Sequence, residues 1–255
     1  MAVDTEPEVG IYVYGLVPED VEVEEDARGV GDEPGELEIV RHGDIAALVS
    51  AITLDRPLGT PDDLMRHQAL LDGTAAEVPV LPLRFGAVLA SREAVVDELL
   101  APHHDEFLAA LKEMEGLAEY VVKGRYVEGA VLGEVLAENP EAARLRDEIR
   151  GVPEAVARDA QIRLGEILTG AISAKYNADT HAVLDAVAPV SALSFVREPT
   201  HDLDAVHVAL LVENDRREEL ERVVAEFSDR WEGRVRLRLL GPLAPYDFVT
   251  TSQAG

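Results

Sequence analysis

A chain of 255 residues that is 47% apolar and 29% charged has enough hydrophobic surface for ordinary packed cores, and its length sits where one core tends to split into two. Fifty acidic residues against twenty-three basic ones give a formal charge of -27, a field that repels phosphate backbones and anionic membranes, so nucleic-acid partners are not expected. Cysteine is absent, which excludes disulfides, thiolate catalysis and zinc-thiolate centres.

After a polar leader, Ile11 to Val17 is β-branched and aromatic and stops at Pro18, the pattern of a buried strand. Residues 1–40 hold thirteen Asp or Glu against one Arg, so the stretch from Glu19 to Glu38 reads as a solvated loop. Leu37–Val40 and Ile45–Val49 flank His42-Gly43-Asp44, which predicts a hairpin. Thr60-Pro61-Asp62-Asp63 is a capped helix start, with Leu64, Gln68 and Leu71 continuing a face. Glu77 to Leu89 is an apolar strand punctuated by Pro79, Pro82 and Gly86, hence bulged or at an edge. Ser91 opens a helical pattern that runs to Gly116 through Val95, Leu99, Phe107, Leu111 and Met114, closing a first domain over residues 1–116.

A second domain, 117–255, starts with a β segment at Glu119–Val127. A helical insertion over about 131–187 follows, broken at Asn139-Pro140 and Gly151-Val152-Pro153, in which Glu154 to Val187 forms one long helix despite Gly165 and Gly170. Strands then fall at Val190–Arg197, His207–Val212 and Arg234–Leu239, with an amphipathic helix from Asn214 to Trp231 between the last two. The series β-α-β-β-α-β predicts an α+β fold whose C-terminal domain is a modified ferredoxin-like unit with extra helices.

Chemistry-bearing motifs are scarce. The seven histidines lack metal-ligand spacing; the one dense group, His103-His104-Asp105-Glu106, starts a helix after Pro102, where adjacent side chains diverge by about 100°. Gly29-x-Gly31 lies in acid and would repel a phosphate, and none of Ser173, Ser191 or Ser194 sits in a nucleophile motif. No catalytic residue, cofactor or metal is expected. The N-terminus MAVDTEPEVG lacks the form of a signal peptide, and no stretch reaches about 18 uninterrupted apolar residues, so a cytoplasmic protein without membrane insertion is expected. Only Lys112, Lys123 and Lys175 are lysines, arginine supplying the other cations; with the acidity this suggests a halophilic source, because the Debye length falls to roughly 3 Å at 1 M salt and screens self-repulsion.

Three blocks remain: Tyr12-Val13-Tyr14-Gly15-Leu16-Val17-Pro18, Pro79-Val80-Leu81-Pro82-Leu83-Arg84-Phe85-Gly86 and Gly241-Pro242-Leu243-Ala244-Pro245-Tyr246-Asp247-Phe248. Together, in this order, they resemble the GvpL/GvpF family of gas vesicle accessory proteins, with Leu243 departing from the aromatic residue usual there. The resemblance implies a cytoplasmic factor associated with gas vesicles, needed to start their assembly and contacting the small apolar shell protein and other accessory proteins. It implies two α+β domains and no catalytic residues. A ferredoxin-like small-molecule-binding or enzymatic domain is the alternative, favoured by a deep pocket lined by His103, Arg84 or Tyr126.

Tyr14, Gly15, Pro82, Arg84, Phe85, Gly86, Gly241, Pro242, Pro245, Tyr246 and Phe248 are read as structural. Arg84 is expected to pair with an acid, and the C-terminal tail to pack on the second sheet. Val78, Val80, Leu81 and Leu83 are the expected partner-binding residues, because Pro79 and Pro82 leave a sheet edge open.

Overall fold

The computed structural model describes residues 9–23, 27–31, 35–54 and 58–249. The chain divides into two compact units. One combines the residues up to Glu119 with those from Gly241 onward, and the other runs from Tyr120 to Leu240.

In the first unit β1 (Val9–Pro18) is the central strand and is buried from Gly10 to Val17. It pairs antiparallel with β3 (Ile45–Thr53), which pairs antiparallel with β2 (Leu37–His42) across the expected hairpin, where Gly43 takes φ 58°. On its other side β1 carries β4 (Leu81–Pro82) and β5 (Val88–Leu89), so the proline-punctuated segment contributes two short edge pieces instead of one strand. A bulge between Val13 and Gly15 shifts the register with β3, and Tyr12, Tyr14 and Val17 all join one core cluster with Leu48, Leu71, Ala75 and Val80.

Helix α1 (Pro61–Ala75) begins as its sequence dictates. The Thr60 hydroxyl accepts the Asp63 N–H at 3.2 Å and the Asp63 carboxylate accepts the Thr60 N–H at 3.1 Å, a reciprocal capping box. Its inner stripe departs from the expected one. Leu64 is 46% exposed, whereas Asp63, His67, Leu71 and Ala75, at intervals of four, are buried. Polar residues take two of those positions because loop amides and hydroxyls there satisfy them. The segment from Ser91 is three pieces: α2 (Arg92–Ala94) capped by Ser91, a π-helical turn Val95–Leu100 in which the Ala101 N–H reaches the Val96 carbonyl, and α3 (His104–Glu113). Pro102 lacks the N–H that would continue the ladder. Helix α3 packs against β1, β3 and β4.

The second unit follows the order strand, helices, strand, strand, helix, strand: β6 (Leu117–Tyr126), α4 (Glu128–Glu138), α5 (Pro140–Ile149), α6 (Glu154–Val187), β7 (Leu193–Val196), β8 (Asp204–Glu213), α7 (Arg217–Arg230) and β9 (Val235–Leu243). The sheet order is β7-β8-β6-β9. Helix α6 is continuous through Gly165 and Gly170. An ionic network ties α4, α6 and the start of β9: Arg234 meets Glu134 and Asp179 at 2.8 Å each, and Lys175 reaches Glu134 at 3.1 Å. Among the described residues no helix is long and apolar enough to cross a membrane.

The expected boundary at residues 116 and 117 therefore moves in two ways. It shifts a few residues into β6, and the last segment, from Gly241 onward, groups with the first unit. The physical reason is that the buried Ala244 belongs to the core cluster of Tyr12 and Tyr14, and its N–H donates to Asp72 of α1 at 2.9 Å.

Gly15 is needed where β1, β4 and α1 converge. A Cβ there would lie 2.8 Å from the Leu81 carbonyl oxygen and 2.9 Å from the Leu71 side chain, and a backbone oxygen held in a sheet has little room to move. Gly15→Ala is expected to cost about 1–3 kcal/mol in urea unfolding; an unchanged midpoint would refute this packing.

Candidate functional site

The three sequence blocks, separated by more than fifty residues at each step, meet around one side chain that its spacing does not single out, His67. It is buried on the inner stripe of α1. Its Nδ1 faces the Tyr12 hydroxyl at 3.0 Å and its Nε2 the Tyr246 hydroxyl at 2.9 Å. The Tyr12 hydroxyl also accepts the Gly86 N–H at 3.0 Å. Phe85 sets its ring edge-on to both Tyr12 and His67, with centroids 5.9 and 5.5 Å away. Each block thus touches this relay: the first through Tyr12, the second through Phe85 and Gly86, and the third through Tyr246.

A second polar chain runs beside it. The Val30 N–H donates to the Tyr14 hydroxyl at 2.7 Å, and that hydroxyl shares a hydrogen bond with Ser50 at 2.8 Å. Asp63 accepts the N–H groups of Gly31 and Gly59, each at 3.2 Å. Parts of the acidic stretch after Pro18 are therefore pinned to the core: Val30 is fully buried. Burial pushes the His67 pKa below its usual value and raises those of Tyr12, Tyr14 and Tyr246. The relay is accordingly neutral near pH 7, and its chemistry is that of mutual hydrogen bonding, buried at Tyr12 and His67 and reaching solvent at Tyr246.

The expected structural residues are placed as follows. Pro82 and Pro245 are buried, Pro242 and Phe248 partly so, and Tyr246 is 39% exposed. Gly86 and Gly241 adopt φ 93° and 134°, values open to glycine. Arg84 is exposed, so the buried acidic partner expected for it is not required. The Asp247 N–H donates to Glu119 at 3.1 Å, a further tie of the tail to the first unit.

Of the expected partner-binding residues, Val80 and Leu81 are 1% and 0% exposed and belong to the interior, while Val78 and Leu83 are partly exposed. The Leu83 N–H is bonded to the Tyr14 carbonyl at 2.9 Å, so that amide faces β1 and not a partner. Among the described residues no group of three or more His, Cys, Asp or Glu could hold a metal ion. In the second unit a cavity of about 330 Å³ is lined by Ser173, Tyr176, Thr200, His201 and Asp204 among others; His103, Arg84 and Tyr126 are not part of it.

Comparison with known proteins gives this arrangement a context. The model of the family described as "Gas vesicle synthesis protein GvpL/GvpF" matches residues 10–250. The chain belongs to the GvpL/GvpF family. Gas vesicle protein F of Streptomyces sp. (strain CB03234) is 31% identical over 240 residues, covering 93% of this chain and 98% of that protein. Gas vesicle protein L of the same organism is 28% identical over 267 residues, 93% and 92% of the two chains. The crystal structure of GvpF from Anabaena sp. PCC7120 superposes with a TM-score of 0.77 at 21% identity, covering 96% of this chain and 99% of that one. The GvpF structure from Microcystis aeruginosa gives 0.73 at 22%, covering 94% and 98%. The mixed helix-and-sheet fold is shared with these two structures over nearly their whole length.

Tyr246→Phe isolates the outer bond of the relay. It keeps the ring and removes the hydroxyl bonded to the His67 Nε2, so a stability loss of about 0.5–1.5 kcal/mol is expected in denaturant unfolding. Equal stability of the variant and the parent would show that the hydroxyl does not hold the tail.

Proposed function

We propose that this chain acts in gas vesicle assembly by binding other gas vesicle proteins, the small apolar shell protein and further accessory proteins among them, without catalysing a reaction. The observation that carries the reading is the family match along residues 10–250, and relatives named as gas vesicle proteins align over nearly their full length. The absorption of the three blocks into one hydrogen-bonded core also supports it, since their conspicuous side chains serve the scaffold and leave its surface for contacts. We place the work in the cytoplasm, at the vesicle, and read the acidic, lysine-poor composition as adaptation to brine.

The second unit serves as a modified ferredoxin-like scaffold in this account, on the strength of its strand order β7-β8-β6-β9 and its β-α-β-β-α-β sequence. In the first unit, Val78 and Leu83 flank β4 and offer apolar side chains beside the exposed Arg84, with Val80 and Leu81 supporting them from the core.

The experiment is capture of the purified shell protein by the full chain in molar KCl, with a Val78→Asp, Leu83→Asp double variant in parallel. Capture by the parent and its loss in a double variant of unchanged fold are expected. A parent that retains no shell protein would defeat the reading.

A further inference from the structure

Sheet edges are templates for added strands, and folded proteins guard them with charges, prolines or very short strands. Of the four edges among the described residues, three are guarded in these ways. On β2, Glu38 is bound by the Arg92 guanidinium at 2.6 Å, Arg41 is exposed, and the Leu37 N–H is already bonded to the Ala27 carbonyl at 3.1 Å. On the opposite side of that sheet, β4 and β5 are two residues each, and β4 follows Pro79 and ends in Pro82. In the second sheet, β9 exposes Arg236 and Arg238 and contains Pro242.

The fourth edge, β7, carries neither charge nor proline over its four residues. Residues 191–196 read Ser-Ala-Leu-Ser-Phe-Val, without charge or proline, in a chain that is 29% charged. Leu193, Phe195 and Val196 are 56%, 50% and 44% exposed, so apolar side chains stand in water on both faces of the strand. The register pairs Leu193 with Leu211 and Phe195 with Ala209, and the Arg197 N–H donates to the His207 carbonyl at 2.9 Å. Antiparallel bonds recur at every second residue, so Phe195 and Arg197 bond β8 and the backbone groups of Ser194 and Val196 face outward, while the Ala192 N–H is held by the Leu211 carbonyl at 2.8 Å.

We propose that this edge receives a second copy of the chain, β7 against β7, antiparallel about a two-fold axis through Ser194. That axis sets Leu193 of one copy opposite Phe195 of the other and Ala192 opposite Val196, so the edge is complementary to itself. No like charges meet across these pairs. The charge of -27 on each chain acts from farther away and is screened in brine, so pairing strengthens with salt. This inference stands apart from the shell-protein reading and from the Val78 and Leu83 surface.

The test is sedimentation equilibrium of the full chain at tens of micromolar, in dilute and in molar KCl, beside Phe195→Lys and Ser194→Pro. The first variant puts a charge on the edge; the second removes an outward N–H and leaves the bonds to β8 in place. A dimer that tightens with salt is expected for the parent, weakened roughly tenfold or more in either variant. A parent that stays monomeric in molar KCl overturns the proposal, as does a dimer that the variants leave intact. If Ser194→Pro melts early, Phe195→Lys decides, because its side chain already stands half in water.

Discussion

The hydrogen bonds of the His67 imidazole to Tyr12 and Tyr246 are the constraint on which the first unit depends. A buried histidine needs partners for both ring nitrogens, and here they come from opposite ends of the chain: Tyr12, 55 residues before it, and Tyr246, 179 residues after it. Satisfying one side chain therefore fixes the relation of the central strand, the first long helix and the C-terminal segment. Phe85 closes the same group from the β4 side, and Gly86 supplies the backbone N–H that completes the Tyr12 hydroxyl.

This draws β1 and the C-terminal segment into one body. The chain leaves β9 and returns to the first unit, where Ala244 is buried and bonded to Asp72. Burial raises the Asp72 pKa, an effect that the Ala244 N–H opposes, so the bond matters to the carboxylate as well as to the tail. The second unit adds a charged tie to its apolar core: Arg234 lies between Glu134 and Asp179 with Lys175 beside them, at partly buried positions where pairing is screened less than on the open surface.

Local chemistry is legible in the sequence. Thr60, Pro61 and Asp63 announce the start of α1, the apolar and β-branched runs announce β1, β3 and β8, and α6 is readable from Glu154 to Val187 because its prolines lie outside it. What stays hidden depends on distant partners. Hydrophobic spacing selects Leu64 for the inner face of α1, yet Asp63 and His67 are inside because remote hydroxyls and amides receive them. A histidine without ligand spacing carries no signal of its place, and a tail of prolines and aromatics does not state which sheet it covers. The prolines of the β4 segment suggest an open edge; in the structure they shorten it, and the unguarded edge is β7, whose signal is a run of six uncharged residues.

If the C-terminal segment is core, its backbone must open only when the first unit opens. Native-state hydrogen exchange reads this at the Ala244 amide, which donates to Asp72. Protection comparable to that of the β1 and β3 amides is expected. Exchange at the rate of an unprotected peptide, with β1 still protected, would contradict it.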